Sequence, residues 1–355
     1  MHRLALAGLT LLLVLLCLAT LSWPHSWDHG IFAWIGDAIV HGGMPYREAW
    51  DIKGPVPYYV FAVAEWVFGR EMWGIRVLDL LILAAGAATA ARIVSRLAGP
   101  GAAAYTALGL SLQYAGAGYF DTAQPDGWAG VLLLIGLAPL VADEASTSAR
   151  RAAGSALVLG LCLLIKPTYA VFGAAPAAYV LLGRDLGGRA RLRGVLLVAA
   201  AFALPAVACL AWFAVCGALA DLVDGYLRFN LQQAGAPIPG LDTSFRGAVP
   251  RFVRRLVYSP AVMLSLLLAV AAAASLRRDR PRALVILSLA TAAAFLTVFV
   301  QQRYWNRYQW HAPYMALGVL AGCGAGRLWH ARRSPAGVTA ARLTAGALGA
   351  LLLVA

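Results

Sequence analysis

Residues 28–59, DHGIFAWIGDAIVHGGMPYREAWDIKGPVPYY, follow an apolar N-terminal run directly, yet they carry Asp28, His29, Asp37, His41, Arg47, Glu48, Asp51 and Lys53 among their aromatics. A connection this long and this charged is unusual inside a compact bundle and points to a role beyond joining two segments. Ile31, Ile35 and Ile39, with Phe32, Trp34 and Ala38 beside them, recur at helical spacing, while Asp37 and His41 take the other side. Gly42 and Gly43 end that helix. A short amphipathic helix rich in aromatics is expected in a membrane interface. The following MPYREAWDIKGP is charged and turn-forming. Residues 57–69 are apolar but fewer than the ~20 needed to cross a bilayer, which predicts a second interfacial or half-buried helix.

Working outward, the composition sets the solvent. With 61% hydrophobic and 13% charged residues, the 355-residue chain reads as one all-α polytopic membrane domain, residues 1–355. Cys17, Cys162, Cys209, Cys216 and Cys323 all sit in apolar runs without metal-type spacing, so neither a disulfide framework nor a zinc site is indicated. The formal net charge of +13 is not spread as a nucleic-acid surface would be. Its arginines gather in short clusters, at 92 and 96, 150 and 151, 189 to 193, 277 to 282 and 327 to 333, opposed by only Asp143, Glu144, Asp185 and Asp279. By the positive-inside rule these loops and the N-terminus are cytoplasmic, which places residues 23–72 and the long loop 218–257 outside a bacterial-type inner membrane.

The apolar runs predict about ten or eleven spans or partial spans. They lie at 4–22, 73–97, 101–118, 127–142, two short helices within 152–183, then 194–217, 258–276, 283–300, 312–329 and a last run at 343–355. Trp23, Pro24 and Trp27 after the first run favour an uncleaved helix over a signal peptide. Arg76 and Asp79, one turn apart, are expected to pair. In YFDTAQPDG, Gln124 and Asp126 precede an apolar run, where Asp126 either caps the helix or lines a pocket. Lys166-Pro167-Thr168-Tyr169 joins two helices too short to cross, so Lys166 either lines a wet cavity or snorkels to the interface. Residues 245–256 place Phe245, Val249, Phe252, Val253 and Leu256 along one helical face and Arg246, Arg251, Arg254 and Arg255 largely on the other, as a surface helix against lipid head groups would, with contact to a polyprenyl phosphate as the sharper alternative. In QQRYWNRYQWHAP, Arg303, Arg307 and His311 would share one face of a continued helix.

An acidic residue after the first span, a surface helix ending in Gly, then "PY…D.K.P…YY" before a short apolar segment resembles the GT-C glycosyltransferases. More narrowly it resembles the family-39-like enzymes, among them the lipid A aminoarabinose transferases and protein O-mannosyltransferases. The matching residues are Asp28, Gly42, Pro45, Tyr46, Asp51, Lys53, Pro55, Tyr58 and Tyr59. The chain departs from the pattern at His29, where many relatives have a second carboxylate, and at Gly54, where they have a Pro before Pro55. The resemblance extends to Gln124 and Asp126 beside Pro125, to Lys166-Pro167-Thr168, and to Arg303, Tyr304, Tyr308, His311 and Pro313 before a late span. Larger relatives often carry a soluble domain after the last span, and the sequence given has none.

The resemblance implies a GT-C-like transmembrane bundle, and an enzyme that moves a hexose or pentose from a polyprenyl-phosphate donor to a hydroxyl on a glycan, lipid or protein, with inversion, at the outer face. It implies no nucleic-acid partner and leaves a divalent metal open. Attack on the anomeric carbon needs a base within reach of the acceptor hydroxyl, the part expected of Asp28. The departing phosphate needs fixed cations, expected of Lys53, Arg303 and Lys166. Tyr46, Asp51, Tyr58, Gln124, Asp126, Tyr304, Arg307 and His311 complete the expected donor site. Against this stands the ordinary use of an Asp at a helix start as an N-cap. A transporter or flippase of a lipid-linked sugar would also use intramembrane charge and broken helices, but the chain lacks the internal repeat expected of one. A non-catalytic relative is the remaining alternative.

Overall fold

Proline and glycine punctuate the chain into helices. Pro55, Pro100, Pro125 and Pro281 each open one, where a missing N–H is not needed. Gly69 and Gly99 close two others with φ of 75° and 93°, a conformation that side chains with a Cβ rarely adopt. The protein is seen as a computed structural model that describes residues 2–234, 242, 244–301 and 305–331. In chain order its helices are α1 (His2–Ala19), α2 (Trp27–Val40), α3 (Pro55–Phe68), α4 (Met72–Ala98), α5 (Pro100–Ala115), α6 (Pro125–Leu137), α7 (Ala149–Gly160), α8 (Ala174–Leu181), α9 (Gly188–Val215), α10 (Leu219–Leu222), α11 (Phe229–Ala234), α12 (Phe245–Val257), α13 (Pro260–Asp279), α14 (Pro281–Val300) and α15 (His311–Ala331). Tight 3-10 stretches fill Leu161–Leu164, Pro167–Gly173 and Arg307–Trp310, and a π-turn fills Val223–Arg228. Among the described residues there is no strand, only one bridge between Pro45 and Ala49. The last apolar run, 343–355, lies outside the described residues.

The protein is a multi-pass membrane protein of all-α class. Among the described residues, α4, α9 and α14 are each long and apolar enough to cross a bilayer, and the bent α12–α13 pair would be a fourth. Helix α6 is apolar but has only 13 residues and is buried almost throughout, so it is core rather than lipid-facing surface. The larger number of spans expected from the apolar runs includes α7 and α8, which at 12 and 8 residues are each too short to cross alone. Helix α15 is the axis of the bundle and packs on α4, α5, α6, α13 and α14. The main core runs through α4 to α8 and α14 to α15. A second, aromatic core under the α2–α3 hairpin joins Phe32, Tyr46, Tyr58, Phe61, Trp128, Phe213 and Tyr226.

Two local expectations change. The buried face of α2 is His29, Phe32, Ile35 and Gly36, while Ile31 is 42% and Trp34 69% exposed. Helix α3 causes this rotation by crossing at Gly36, where a Cβ would lie 2.9 Å from the Ala62 nitrogen. Arg76 and Asp79 are both buried yet do not pair directly. Arg76 donates to Thr122 Oγ1 (2.9 Å) and to the carbonyls of Pro24 (2.9 Å) and Tyr119 (3.1 Å). Asp79 accepts from Tyr114 (2.7 Å), Trp128 (2.8 Å) and the Ala123 N–H (3.0 Å). The two charges serve separate halves of one task, fixing the loop between α5 and α6. That bracing holds Ala123 at φ 52°, a strained value for a residue with a Cβ, one position before Gln124.

Candidate active site

The site grows from two loops that carry lysine. Ser26, not Asp28, is the N-cap of α2, and the Ser26 N–H donates to His29 Nδ1 at 3.1 Å. Asp28 is thereby left in the first turn with its carboxylate available, and Lys53 Nζ lies 3.0 Å from its Oδ2. The same ammonium stands 4.6 Å above the Phe32 ring. In the second loop, Lys166 Nζ donates to both oxygens of Asp126 (2.7 and 2.8 Å) and to Gln301 Oε1 (3.1 Å), which uses all three of its protons. Tyr169 adds a hydrogen bond to Asp126 Oδ1 at 2.7 Å. The side chain of Asp126 is fully buried, whereas that of Asp28 is 24% exposed. Asp126 is therefore a sealed counter-ion, and Asp28 is the carboxylate a substrate can reach.

Gly54 brings the two loops together. Its N–H donates to the Ile165 carbonyl at 3.0 Å, and a Cβ there would lie 2.1 Å from the Leu164 carbonyl oxygen. The departure from the family pattern at this position is thus a close backbone contact that holds Lys53 beside Lys166. Gly54→Ala should force the loops apart and lower stability by about 1–3 kcal/mol, as overpacking does. Thermal unfolding would check this.

The other expected residues divide by place. Tyr46 and Tyr58 turn their hydroxyls to the Lys53 carbonyl, at 2.6 and 3.0 Å, and Tyr58 also lies 3.1 Å from Asp51 Oδ2. Burial pushes both hydroxyls well above the usual tyrosine range, so they remain donors that shape the loop. Tyr46 has φ 71°, so the loop is held under strain next to the lysine. Gln124 is the N-cap residue of α6; its Nε2 donates to the Phe120 carbonyl at 3.1 Å, and its buried Oε1 has no donor among the described residues. Tyr308 lies 5.5 Å from Lys166 by its ring and within electrostatic reach of Asp126, Asp28 and Asp121.

Arg303 and Tyr304 lie outside the described residues. Arg307 and His311 do not present donors from one helical face. Residues 307–310 form a 3-10 turn with Arg307 exposed, and α15 starts only at His311. His311 is buried against the Tyr114 ring (4.8 Å), with Nε2 2.8 Å from the Asp121 carbonyl. The turn arises because Asp121 also accepts the Tyr308 N–H at 3.0 Å, which pins the chain before the helix can extend backward.

His29 is not a second site carboxylate in disguise. It is fully buried, and desolvation, then the Arg76 guanidinium, push its pKa down to about 3. Since it ionises near 6.5 when unfolded, stability should be complete above pH 6.5 and fall as the pH drops toward 3, by about 1.4 kcal/mol per unit. A thermal unfolding series from pH 7.5 to 5 should show this slope, and His29→Asn should flatten it.

Sequence reasoning missed Gln301, Tyr169 and the segment from Asp221 to Asn230. Asn230 donates to the Ile52 carbonyl at 2.6 Å, Tyr226 bonds the Leu163 carbonyl, and Arg47 pairs with Asp221 at 2.9 Å. The segment covers the Lys53 loop, and its π-turn is a conformation that recurs at functional sites. Only Tyr169, next to Lys166-Pro167-Thr168, had a signal in the sequence. Behind both lysine loops opens an almost wholly apolar groove of about 700 Å³, lined by Pro55, Val56, Tyr59, Leu164, Cys209 and Trp212 among others. Trp212 Nε1 donates to the Tyr59 hydroxyl at 3.1 Å on its wall. Among the described residues, no cluster of three or more His, Cys, Asp or Glu is placed to hold a metal ion.

The fold has counterparts among solved structures. The structure of ArnT from Cupriavidus metallidurans bound to undecaprenyl phosphate superposes with a TM-score of 0.66 at 19% identity, over 90% of this chain and 60% of that one. Its apo form gives 0.63 at 21% identity, over 91% and 60%. The chain has the GT-C fold. Independently, the family described as dolichyl-phosphate-mannose-protein mannosyltransferase matches residues 52–212, which include Lys53, Gln124, Asp126 and Lys166. No curated protein matches the chain. The chain spans 60% of the length of the ArnT structures it resembles. In this GT-C fold, the charged pairs stand where the α2–α3 hairpin meets the bundle.

Proposed function

We propose that the protein is a membrane glycosyltransferase that moves a sugar from a polyprenyl-phosphate donor to a hydroxyl acceptor. One observation carries this reading: the Asp28–Lys53 and Asp126–Lys166 pairs are close enough for each to feel the other's charge, and the two lysine-bearing segments also line an apolar groove, through Pro55 and Val56 after Lys53 and Leu164 before Lys166. An amphiphile with a phosphate between a sugar and a long apolar tail is what such a junction accommodates. The tail would lie along Val56, Leu164 and Trp212, with the phosphate at Lys53.

In the reaction, the acceptor oxygen attacks the anomeric carbon while the bond from that carbon to the phosphate oxygen breaks. Asp28 takes the hydroxyl proton, and the electron pair leaves with the phosphate. Lys53, already beside Asp28, neutralises the charge that develops there. A single displacement inverts the anomeric centre. Lys166 has its charge balanced by Asp126 and acts by holding Gln301 and the ring of Tyr308 at the rim. Tyr46, Tyr58 and Asp51 fix the carbonyl of Lys53 and so its reach. Arginines on the opposite loops support an orientation with the N-terminus cytoplasmic and the site on the periplasmic side of an inner membrane. The donor's sugar would be a hexose or pentose, and the acceptor a lipid, glycan or protein.

The test is transfer of a labelled sugar from an undecaprenyl-phosphate donor by the purified protein in lipid, across lipid, glycan and peptide acceptors, with Asp28→Asn alongside. Movement of the donor between leaflets without transfer to any acceptor would replace this reading with a flippase.

A further inference from the structure

A second groove lies on another side of the bundle and shares no lining residue with the first. It has a volume of about 960 Å³, at the top of the range for small-molecule sites (~300–1,000 Å³). Its floor is α15, its walls α5 and α13. The floor is deep because α15 sinks against α5 through small residues: a Cβ on Gly322 would lie 2.0 Å from Thr106 Oγ1. The groove runs from Tyr314 to His330 along α15, roughly 24 Å at 1.5 Å per residue, most of a ~30 Å hydrocarbon core.

Its two ends differ. Pro100, Trp329 and His330 close one of them. At the other, Gln113, Ser259 and Tyr314 form a polar mouth directly after α12. Helix α12 contains Arg246, Arg251, Arg254 and Arg255 and no acidic residue. Its Phe252 stacks on Trp310 at 5.3 Å, which fixes the helix over the mouth. The Arg255 guanidinium stands 5.6 Å from the Trp310 ring, and Trp310 in turn stacks on Tyr314 at 5.9 Å. Arg254 and Arg255 are exposed and form no ion pair among the described residues. The N-terminus of α13, the positive end of a 20-residue helix, opens at the same place.

We infer that this groove binds an anionic glycerophospholipid, with acyl chains between α5 and α13 and the phosphate against the arginines of α12. Cationic charge at one end of an apolar trough selects a lipid with net negative charge over a zwitterionic one. The site is separate from the donor groove, and binding does not depend on transfer.

The experiment uses the full chain in neutral detergent. Binding of phosphatidylglycerol carrying an acyl-chain spin label is compared with that of the phosphatidylcholine analogue. Ser265→Trp, which fills the trough, and the exposed double variant Arg254→Gln/Arg255→Gln are measured beside the wild type. Phosphatidylglycerol should bind at least tenfold more tightly than phosphatidylcholine, Ser265→Trp should exclude the label, and the arginine variant should lose the preference for charge. Equal affinity for the two lipids, or unchanged binding in the arginine variant, overturns the proposal. So does displacement of the label by undecaprenyl phosphate at equal concentration, or a lipid-free dimer that covers the groove.

Discussion

Asp28→Asn should remove sugar transfer, by about a hundred- to ten-thousand-fold in kcat, while the protein remains folded. The substitution keeps the shape of the side chain and removes its ability to take a proton. It does not uncap α2, because Ser26 holds the N-cap position and His29 accepts its N–H. Nor does it leave a fully enclosed charge without a partner, since the amide oxygen of the asparagine can still accept from Lys53, whose side chain retains 11% exposure. The variant should therefore unfold within a few degrees of the wild type and still bind donor, because Lys53 keeps its charge. Loss of turnover with donor binding intact would assign Asp28 as the base. Transfer within threefold of the wild type would remove it from that role.

Lys166→Met should have the opposite profile, a loss of stability of about 3–5 kcal/mol, because it leaves the Asp126 carboxylate buried without its cation. Asp126 is fully enclosed and, among the described residues, would retain the Tyr169 hydroxyl as its side-chain partner. The double variant Lys166→Met/Asp126→Asn should recover much of that loss, since it removes both charges together. Thermal unfolding of the two variants separates a buried pair from a lysine that reaches the interface. Were Lys166→Met as stable as the wild type, the pair would not be closed in the folded protein. Transfer by the double variant should fall through loss of the Gln301 and Tyr308 positions, and so mainly in kcat.

These two results would give the charged pairs different work, and neither pair is visible as a pair in the sequence. Asp28 and Lys53 are separated by a helix and a strained turn, and Asp126 and Lys166 by a helix, a loop and a broken helix. What the sequence by itself determined was local and compositional. Apolar runs specified the helices, Pro55, Pro100, Pro125 and Pro281 marked their starts, and a polar stretch too costly to be a mere connector marked Asp28 and Lys53. The lysine between two helices too short to cross marked Lys166, because burial of a lone charge demands a partner.

Tertiary structure decided which partner. The rotation of α2 depends on where α3 crosses at Gly36, a contact between elements that helical periodicity cannot encode. The 3-10 turn before α15 depends on the Asp121 carboxylate, which comes from the α5–α6 loop, far away in sequence, and overrides the helical spacing of Arg307 and His311. Gly54, read from the sequence as a departure from a pattern, is a point of backbone contact with Leu164 and Ile165. Gln301 had no sequence signal because a polar residue at the end of an apolar helix looks the same whether it meets water or a lysine. Propensity and hydropathy act over a few residues, whereas the hydrogen bonds that turn these side chains into a site join residues that only packing brings together.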